Sequence, residues 1–443
     1  MGLLRRRSRH HAPGARRFRS IRPHESGEDL SHRRAATGAA ARAAEVPLCR
    51  GHVGLATYAV NGAAPSRHVA PTSVDAVVAA VREADDVGQA VVCFGGRTRL
   101  EVGNTPARYD VALDLGALSG IVEHEAGDLT ATVLAGTTVG DLARTLADKG
   151  QMWPVEVARP RSATVGGIIA GAAPGPSRLR YAHPRDWVLG IRAVRGDGTL
   201  TKAGGKVVKN VTGYDLTRLY AGTYGSLCVI VEANLKLWPL PDSERTLLSR
   251  FDDIAAAWDA IEALRREGVE LDAVVTADRA AASYVGEIGA LALLRLRGAR
   301  PVVARLVDAV SRGLTGCDPD DARPGLLEEL VDVPFRAGVG LRLAAPESRM
   351  REVLQGAVGI VRFDGAGTAF LVREKADETW VTRWRDAAET REGSAILERA
   401  PLSLRQRVDT WGTPILPRTL AARIKAALDP RGTLAPGRMA GGL

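Results

Sequence analysis

Four short stretches of this 443-residue chain carry residue types able to cradle an anion or a large planar ligand. They are Gly95-Gly96-Arg97-Thr98, Thr164-Val165-Gly166-Gly167 with Gly171 close behind, Gly204-Gly205, and Gly225-Ser226. The first closes the apolar run Ala90–Phe94. A strand ending in glycines lets consecutive backbone N–H groups converge on an anion with no Cβ in the way. An ordinary tight turn uses the same residues, so the pair alone leaves both readings open. No GxGxxG follows the strand and no helix opens directly from the turn, which disfavours a conventional dinucleotide fold. HExxH, GxSxG and GxxxxGK[ST] are absent as well.

Proton and metal chemistry are sparsely provided for. The chain has eight histidines, the last of them His183, so residues 242–443 contain none. Neutral imidazole is the usual base for removing a hydroxyl proton near pH 7. Without it the task falls to an Asp, Glu, Tyr or Lys, and spacing singles out no one of them. No metal site is expected. Cys49, Cys93, Cys228 and Cys317 are scattered, which predicts reduced thiols in a cytoplasmic protein and excludes an iron–sulfur cluster held by this chain alone.

The elements that must position the glycine turns can be read from hydrophobic period. Thr72 or Ser73 caps a helix with Val74, Val77, Val78 and Val81 on one face, and Gly88 stops it. Tyr109–Leu115 and Leu129–Ala135 read as strands, and Thr138–Lys149 as a helix with Val139, Leu142 and Leu146 inward. Ile191–Arg195 and Thr199–Lys202 flank a hairpin turn at Gly196-Asp197-Gly198. Tyr214–Tyr220 predicts a short helix with Leu216 and Leu219 on one face. Ser226–Leu237 predicts a strand buried on both sides. After Pro239-Leu240-Pro241 the pattern shifts to a helix with Ile254, Trp258, Ile261 and Leu264, then strands at Ala273–Thr276, Leu291–Leu296 and Val339–Leu343. A closing helix spans Leu420–Leu428, and no internal repeat is visible.

A net charge of +9 suggests nucleic acid until it is located. Residues 1–50 hold twelve Arg and four acids, while the other 393 residues carry 48 basic and 47 acidic side chains. The body is neutral, so nucleic-acid binding is not expected of it. Residues 1–50 read as a disordered basic tail. No apolar run reaches the ~18 residues of a membrane span.

KNVTGYDLTRLYAGTYGSLCVIVE resembles the segment that closes the flavin domain of the p-cresol methylhydroxylase/vanillyl alcohol oxidase superfamily, and within it the FAD-binding subunit of glycolate oxidase. PTSVDAVVAAV with its glycine turn, TVGG, RYAHPRDWVLGIRAVRGDGTL and the terminal DPRGTLAPGR follow the same family's order. Three departures stand out: Arg97 replaces a third glycine, Cys228 a glycine, and Ala435 an asparagine. The resemblance implies an α+β fold: a PCMH-type FAD-binding domain of two α/β subdomains over residues 66–241, then an antiparallel α+β cap domain over 242–443 ending in a C-terminal helix. It implies FAD contacts from Gly95, Gly96, Arg97, Thr98, Thr164, Val165, Gly166, Gly167, Gly171, Asp186, Gly225, Ser226, Val229 and Ile230. If Arg97 takes φ > 0 it carries strain; alternatively its guanidinium meets the pyrophosphate. Arg438 is the candidate for holding a substrate carboxylate. Lys206 and Lys209 are candidates for phosphate or flavin charge, His183 is expected to be structural, and no residue is named for covalent flavin attachment.

The implied function is that of an FAD-binding subunit oxidising a small 2-hydroxy acid. Its expected partners are a second FAD-linked catalytic subunit and an iron–sulfur subunit, in the cytoplasm or peripheral to the inner face of the membrane. Two alternatives stay open: a stand-alone FAD-dependent alcohol or hydroxy-acid oxidoreductase, and a non-catalytic structural subunit.

Overall fold

The computed structural model describes residues 54–172, 175–206, 214–314, 319–413 and 417–443. The basic tail, Cys49, Cys317, Lys209 and Gly213 lie outside them. The first layer is a parallel three-stranded sheet of order β1 (Arg67–Val69), β3 (Val111–Asp114), β2 (Val91–Phe94). Helix α1 (Val74–Asp86) covers it. Ser73 starts the helix by accepting a hydrogen bond from the Ala76 amide, Val77, Ala80, Val81 and Ala84 are buried, and Gly88 at φ +70° lets the chain turn into β2.

The second layer is an antiparallel sheet of order β4 (Ile121–Glu125), β5 (Thr130–Leu134), β9 (Val229–Lys236), β7 (Val188–Val194), β8 (Leu200–Gly204). The hairpin partner β4 has no apolar alternation to betray it, and its side chains are half-buried or exposed. A two-residue strand, β6 (Gln151–Met152), pairs with Trp238–Pro239 beside this sheet. Helices α2 (Val139–Ala147) and α3 (Val165–Gly171) pack on one face. As expected, β9 is buried on both sides: Val229 and Val231 join the core under α1, Cys228 and Ile230 the core under α3. The short helix before it, Leu216–Tyr220, buries Thr217 and Tyr220, leaving Leu216 and Leu219 only half-buried. The buried face of that helix is therefore not the one its leucines mark.

Residues 243–399 form an eight-stranded antiparallel sheet whose order has a hidden repeat. Strands Ser243–Phe251, Ala273–Ala277, Ala290–Gly298 and Asp320–Asp321 alternate with helices Ile254–Arg266 and Arg300–Gly313. Strands Val339–Ala344, Ile360–Phe363, Thr368–Arg373 and Ser394–Arg399 alternate with helices Glu347–Val353 and Glu378–Glu389. Each set is a βαββαβ unit with spatial order 4-1-3-2, and the two units meet second strand to second strand, Val275 opposite Phe363 and Ala277 opposite Val361. The palindromic order is what an approximate twofold relation between the halves requires.

The chain then returns to the first layer. The amide of Val91 donates to Thr433 O (2.7 Å) and the amide of Ala435 to Val91 O (2.8 Å), so residues 433–435 cover the open edge of β2. Asp429 organises this return, accepting from the amides of Thr433 (2.8 Å) and Leu434 (2.9 Å). Lys425, in the C-terminal helix Arg418–Leu428, reaches Asp429 (2.5 Å), Ser226 O (2.6 Å) and Leu434 O (2.6 Å).

Candidate functional site

Three of the four glycine stretches converge; Gly204-Gly205, at the end of β8, does not line the cleft. Val92–Gly96, Thr98–Leu100, Thr164, Gly166, Gly167, Ala170, Gly171, Tyr224, Gly225, Cys228–Ile230 and Arg438 line one cleft that opens to solvent. Its floor is the C-terminal end of β2 and the start of β9, and one wall is the N-terminal turn of α3. Thr164 caps that helix, accepting from the Gly167 amide (3.3 Å).

The glycines here are demanded by packing before any ligand arrives. A Cβ on Gly96 would stand 1.5 Å from Ser162 O, and one on Gly95 2.3 Å from Thr164 Oγ1. One on Gly166 would meet the Ala135 Cβ at 2.7 Å. The loop after β2 and the turn before α3 thus lie backbone against backbone. Gly225 has φ +73°, and Tyr224 just before it adopts φ +50°, unusual for a residue with a bulky side chain. The Tyr224 amide donates to Ala170 O (2.9 Å), which fixes that turn to the end of α3.

Of the sequence candidates, Gly95, Gly96, Thr98, Thr164, Gly166, Gly167, Gly171, Gly225, Val229, Ile230 and Arg438 line the cleft, and four do not. Arg97 does take φ +58°, but its guanidinium turns to Asp114 (2.7 Å) and lies 4.3 Å over the Tyr58 ring. Val165 is fully buried among α3 contacts. Ser226 is buried, its hydroxyl donating to Thr223 O (2.7 Å). Asp186 caps a 3-10 turn at Pro184–Trp187, accepting from the His183 amide (3.1 Å). His183 is the other half of that cap, and its ring accepts from the Arg185 amide (3.3 Å). Burial, with Arg178 and Arg185 adding, pushes the imidazole down to about 4. Lys206 pairs with Glu123 at the surface.

Sequence reasoning missed Cys93, Arg99, Leu100 and Tyr224 as cleft residues. Arg99 stands two residues beyond the glycines, where only the loop's path decides which way it faces. That path is set by residues far along the chain. Arg438 Nη2 donates to Leu100 O (2.9 Å) and Val102 O (2.6 Å), Arg405 Nη1 to Glu101 O (2.5 Å), and Asn104 accepts from the Thr410 amide (2.9 Å).

The electrostatics are one-sided. Arg99 pairs with the fully buried Glu398, whose other oxygen accepts from Arg342 Nε (2.5 Å). Burial opposes the Arg99 charge, but the Glu398 carboxylate and Tyr224 more than offset it and raise its affinity for the proton. Arg438 is only 4% exposed; burial, with Arg405 adding, pulls it down to about 10, so it stays protonated at neutral pH. The Nε of Arg99 and the Nη1 of Arg438 are buried without a partner. Cys93 and Cys228 are neutral thiols: burial pushes Cys93 up to about 12, and burial and then Cys93 push Cys228 higher still. Among the described residues no cluster of His, Cys, Asp or Glu could hold a metal ion, and no helix is long and apolar enough to cross a membrane.

A site with glycine-lined turns, apolar walls and two guanidinium N–H groups that lack an acceptor suits a long, partly aromatic, anionic ligand, and FAD has that chemistry. Residues 65–204 match the FAD binding domain family. The chain is 38% identical over 204 residues to a D-2-hydroxyglutarate dehydrogenase of Xanthomonas citri pv. viticola, covering 45% of this chain and 43% of that protein. It is 33% identical over 193 residues to glycolate oxidase subunit GlcD of Bacillus subtilis, covering 44% and 41%. It is 39% identical over 136 residues to glycolate oxidase subunit GlcE of Escherichia coli, covering 30% and 39%. The chain thus spans less than half the length of these relatives. In fold it is similar to p-cresol methylhydroxylase solved with substrate bound, with a TM-score of 0.64 at 18% identity over 87% of this chain and 92% of that one. An alkyldihydroxyacetonephosphate synthase gives 0.62 at 15% identity, over 83% and 76%. The resemblance read from the sequence, its α+β fold and its FAD cofactor are borne out.

Proposed function

We propose, from the premise that residues 65–204 are an FAD binding domain on a p-cresol methylhydroxylase-like fold, that this chain oxidises a small 2-hydroxy acid with FAD held in the cleft. We further propose that it works as the FAD-binding subunit of a glycolate oxidase-like complex, beside a second flavin subunit and an iron–sulfur subunit. One observation carries the reading: Arg99 Nε and Arg438 Nη1, buried and unpartnered, line the cleft that the glycine turns form. A buried N–H without an acceptor is costly, and an anionic ligand can supply one.

The chain's residues divide the work. The amides around Gly95, Gly96 and Thr98, with the capped start of α3, would hold the diphosphate, because these residues line the cleft and the glycines place no Cβ in the way. Gly166, Gly171, Gly225, Val229 and Ile230 would pass along the flavin's apolar body. The cofactor supplies two-electron acceptor chemistry when bound. Arg438 would hold the substrate carboxylate, charge against charge in a buried setting. Glu398 and Arg342, on cap strands, tie to the cleft residue Arg99 and so hold it in place.

The resemblance to GlcE and GlcD, proteins named as subunits, supports assembly with partners. The absence of histidine from residues 242–443 fits a chain that borrows part of its chemistry. The test is dye-coupled turnover of glycolate, lactate and 2-hydroxyglutarate by the FAD-loaded chain, alone and with co-expressed partner subunits. Turnover of one of these acids, raised by partners, is expected. A flavin-loaded chain inert in both settings would refute the reading and leave a subunit that only assembles.

A further inference from the structure

Where the FAD-binding domain meets the cap, arginines are as a rule matched to carboxylates. Arg159 meets Asp332 (2.7 Å), Arg180 meets Asp272 (3.2 Å), Arg399 meets Glu101 (3.1 Å), and Arg295 pairs with Glu156. Arg178, Arg185 and Arg342 depart from that rule. Arg178 and Arg185 are exposed, and among the described residues their guanidiniums have no hydrogen-bond or ion-pair partner. Arg342 uses only its Nε, on Glu398 (2.5 Å), and neither Nη meets an acceptor among the described residues.

The three come from separate elements that the fold presses together. The helix Arg178–Tyr181 sits at the junction, with Leu179 against the cap core and Tyr181 in the core under α3. The 3-10 turn that carries Arg185 packs on α3, and Arg342 reaches over from the cap strand Val339–Ala344. Between Arg178 and Arg185 the chain reverses at Ala182, whose φ of +60° and ψ of −147° are strained for a residue with a Cβ. The charges feel one another. Burial, then Arg185 and Arg342, weaken the hold of Arg178 on its proton. Burial, then Arg178 and Arg185, keep the His183 ring neutral near pH 7. The nearby carboxylate, Asp186, is already engaged by the His183 amide (3.1 Å) and faces Arg218 (3.5 Å).

Like charges gathered this way repel, and an anion among them relieves the repulsion. Guanidinium forks match the paired oxygens of a carboxylate or phosphate. The cluster adjoins the cleft without lining it: Arg342 and the cleft residue Arg99 bond to the two oxygens of Glu398. We propose that Arg178, Arg185 and Arg342 form an oxyanion site, for a carboxylate or phosphate group, beside the flavin cleft and separate from it. Two sources offer that chemistry. One is a free small anion. The other is the far carboxylate of a diacid whose near carboxylate Arg438 holds, which rests on the hydroxy-acid reading above.

The test is calorimetric titration of the FAD-loaded full chain with inorganic phosphate, glutarate and acetate, at low and high salt. It compares wild type, the double variant Arg178→Gln/Arg185→Gln, and Arg438→Met. The two glutamines replace exposed side chains, so the urea midpoint should hardly move. Wild type should bind phosphate or glutarate more tightly than acetate, and more weakly as salt rises. The double variant should lose about tenfold or more of that affinity and keep its flavin. Phosphate binding that survives Arg438→Met identifies a free anion; glutarate binding lost in both variants identifies the far carboxylate. No binding of either by wild type, or equal binding by the double variant, would overturn the site. So would loss of flavin from the double variant, which would assign these arginines to the cofactor. A chain that takes up no FAD would refute the flavin reading alone, since phosphate titration of the FAD-free chain still tests the site.

Discussion

At the scale of single residues, Gly96 and Arg97 are neighbours with opposite sensitivities. A methyl group on Gly96 would collide with the backbone oxygen of Ser162 at 1.5 Å, and backbone cannot yield as a side-chain tip can. Gly96→Ala should therefore destabilise the FAD-free protein by about 2–4 kcal/mol, read as a fall in urea midpoint. A cofactor-only role for this glycine would leave the FAD-free midpoint unchanged. Arg97→Gly relieves a positive φ of +58° but gives up a partly exposed pair with Asp114. The two effects are each about 1 kcal/mol, so the midpoint should hardly move. FAD affinity should persist, because the guanidinium does not face the cleft; a tenfold loss would return Arg97 to the site. His183 makes the fold pH-sensitive. Its imidazole is held down to about 4, against an unfolded value near ~6.5. Between those values the unfolded chain binds the proton and the folded one does not, so stability is full above pH ~6.5 and falls as pH drops toward 4. Allowing for its partial exposure, His183 should contribute on the order of 1–2 kcal/mol of that loss. His183→Asn, which keeps a capping acceptor, should flatten the urea midpoint between pH 4 and 7; an unchanged slope would exclude the histidine.

At the scale of elements, the C-terminal return is the piece that makes the nucleotide layer complete. Asp429 is buried, closes the turn through two amides and balances Lys425, while Gly196 leaves it room: a Cβ there would stand 2.0 Å from Asp429 Oδ1. Asp429→Ala strands a buried ammonium and two N–H groups, so a cost of about 3–5 kcal/mol is expected in denaturant unfolding. FAD binding should weaken with it, since residues 433–438 both cover β2 and deliver Arg438. A variant of wild-type stability would show the return to be ornamental. Helices and strands with a regular apolar period were legible in the sequence: α1 with its Ser73 cap, α2 with Val139, Leu142 and Leu146 inward, and the early part of β9 buried on both sides. The hairpin strand β4 was not, because its side chains have no buried face to impose alternation. The short helix Leu216–Tyr220 was legible, but not that Tyr220 rather than its leucines fills the core. The glycine turns could be named from local chemistry, whereas Arg99 and Tyr224 could not. Their directions depend on Arg405, Thr410, Trp411 and Arg438, about 200 to 340 positions away.

At the scale of the whole molecule, charge crosses between the two layers and the eight-stranded sheet at buried points. Glu398 joins Arg99 of the nucleotide loop to Arg342 of the sheet, and Glu156 pairs with Arg295, which also meets Glu328 (2.9 Å). Such pairs give little net stability over apolar packing, yet removing one partner is severe. Their value here is orientation: they set the cap against the cleft mouth. The duplicated βαββαβ cap shows in its strand order and not in the sequence, where no internal repeat is visible. All of these parts serve one central claim, that the cleft holds FAD. The most direct measurement is the visible absorption spectrum of the purified chain after incubation with FAD and desalting, before and after denaturation. The account predicts flavin bands near ~450 nm that stay with the folded protein. A colourless protein that takes up no FAD would contradict it.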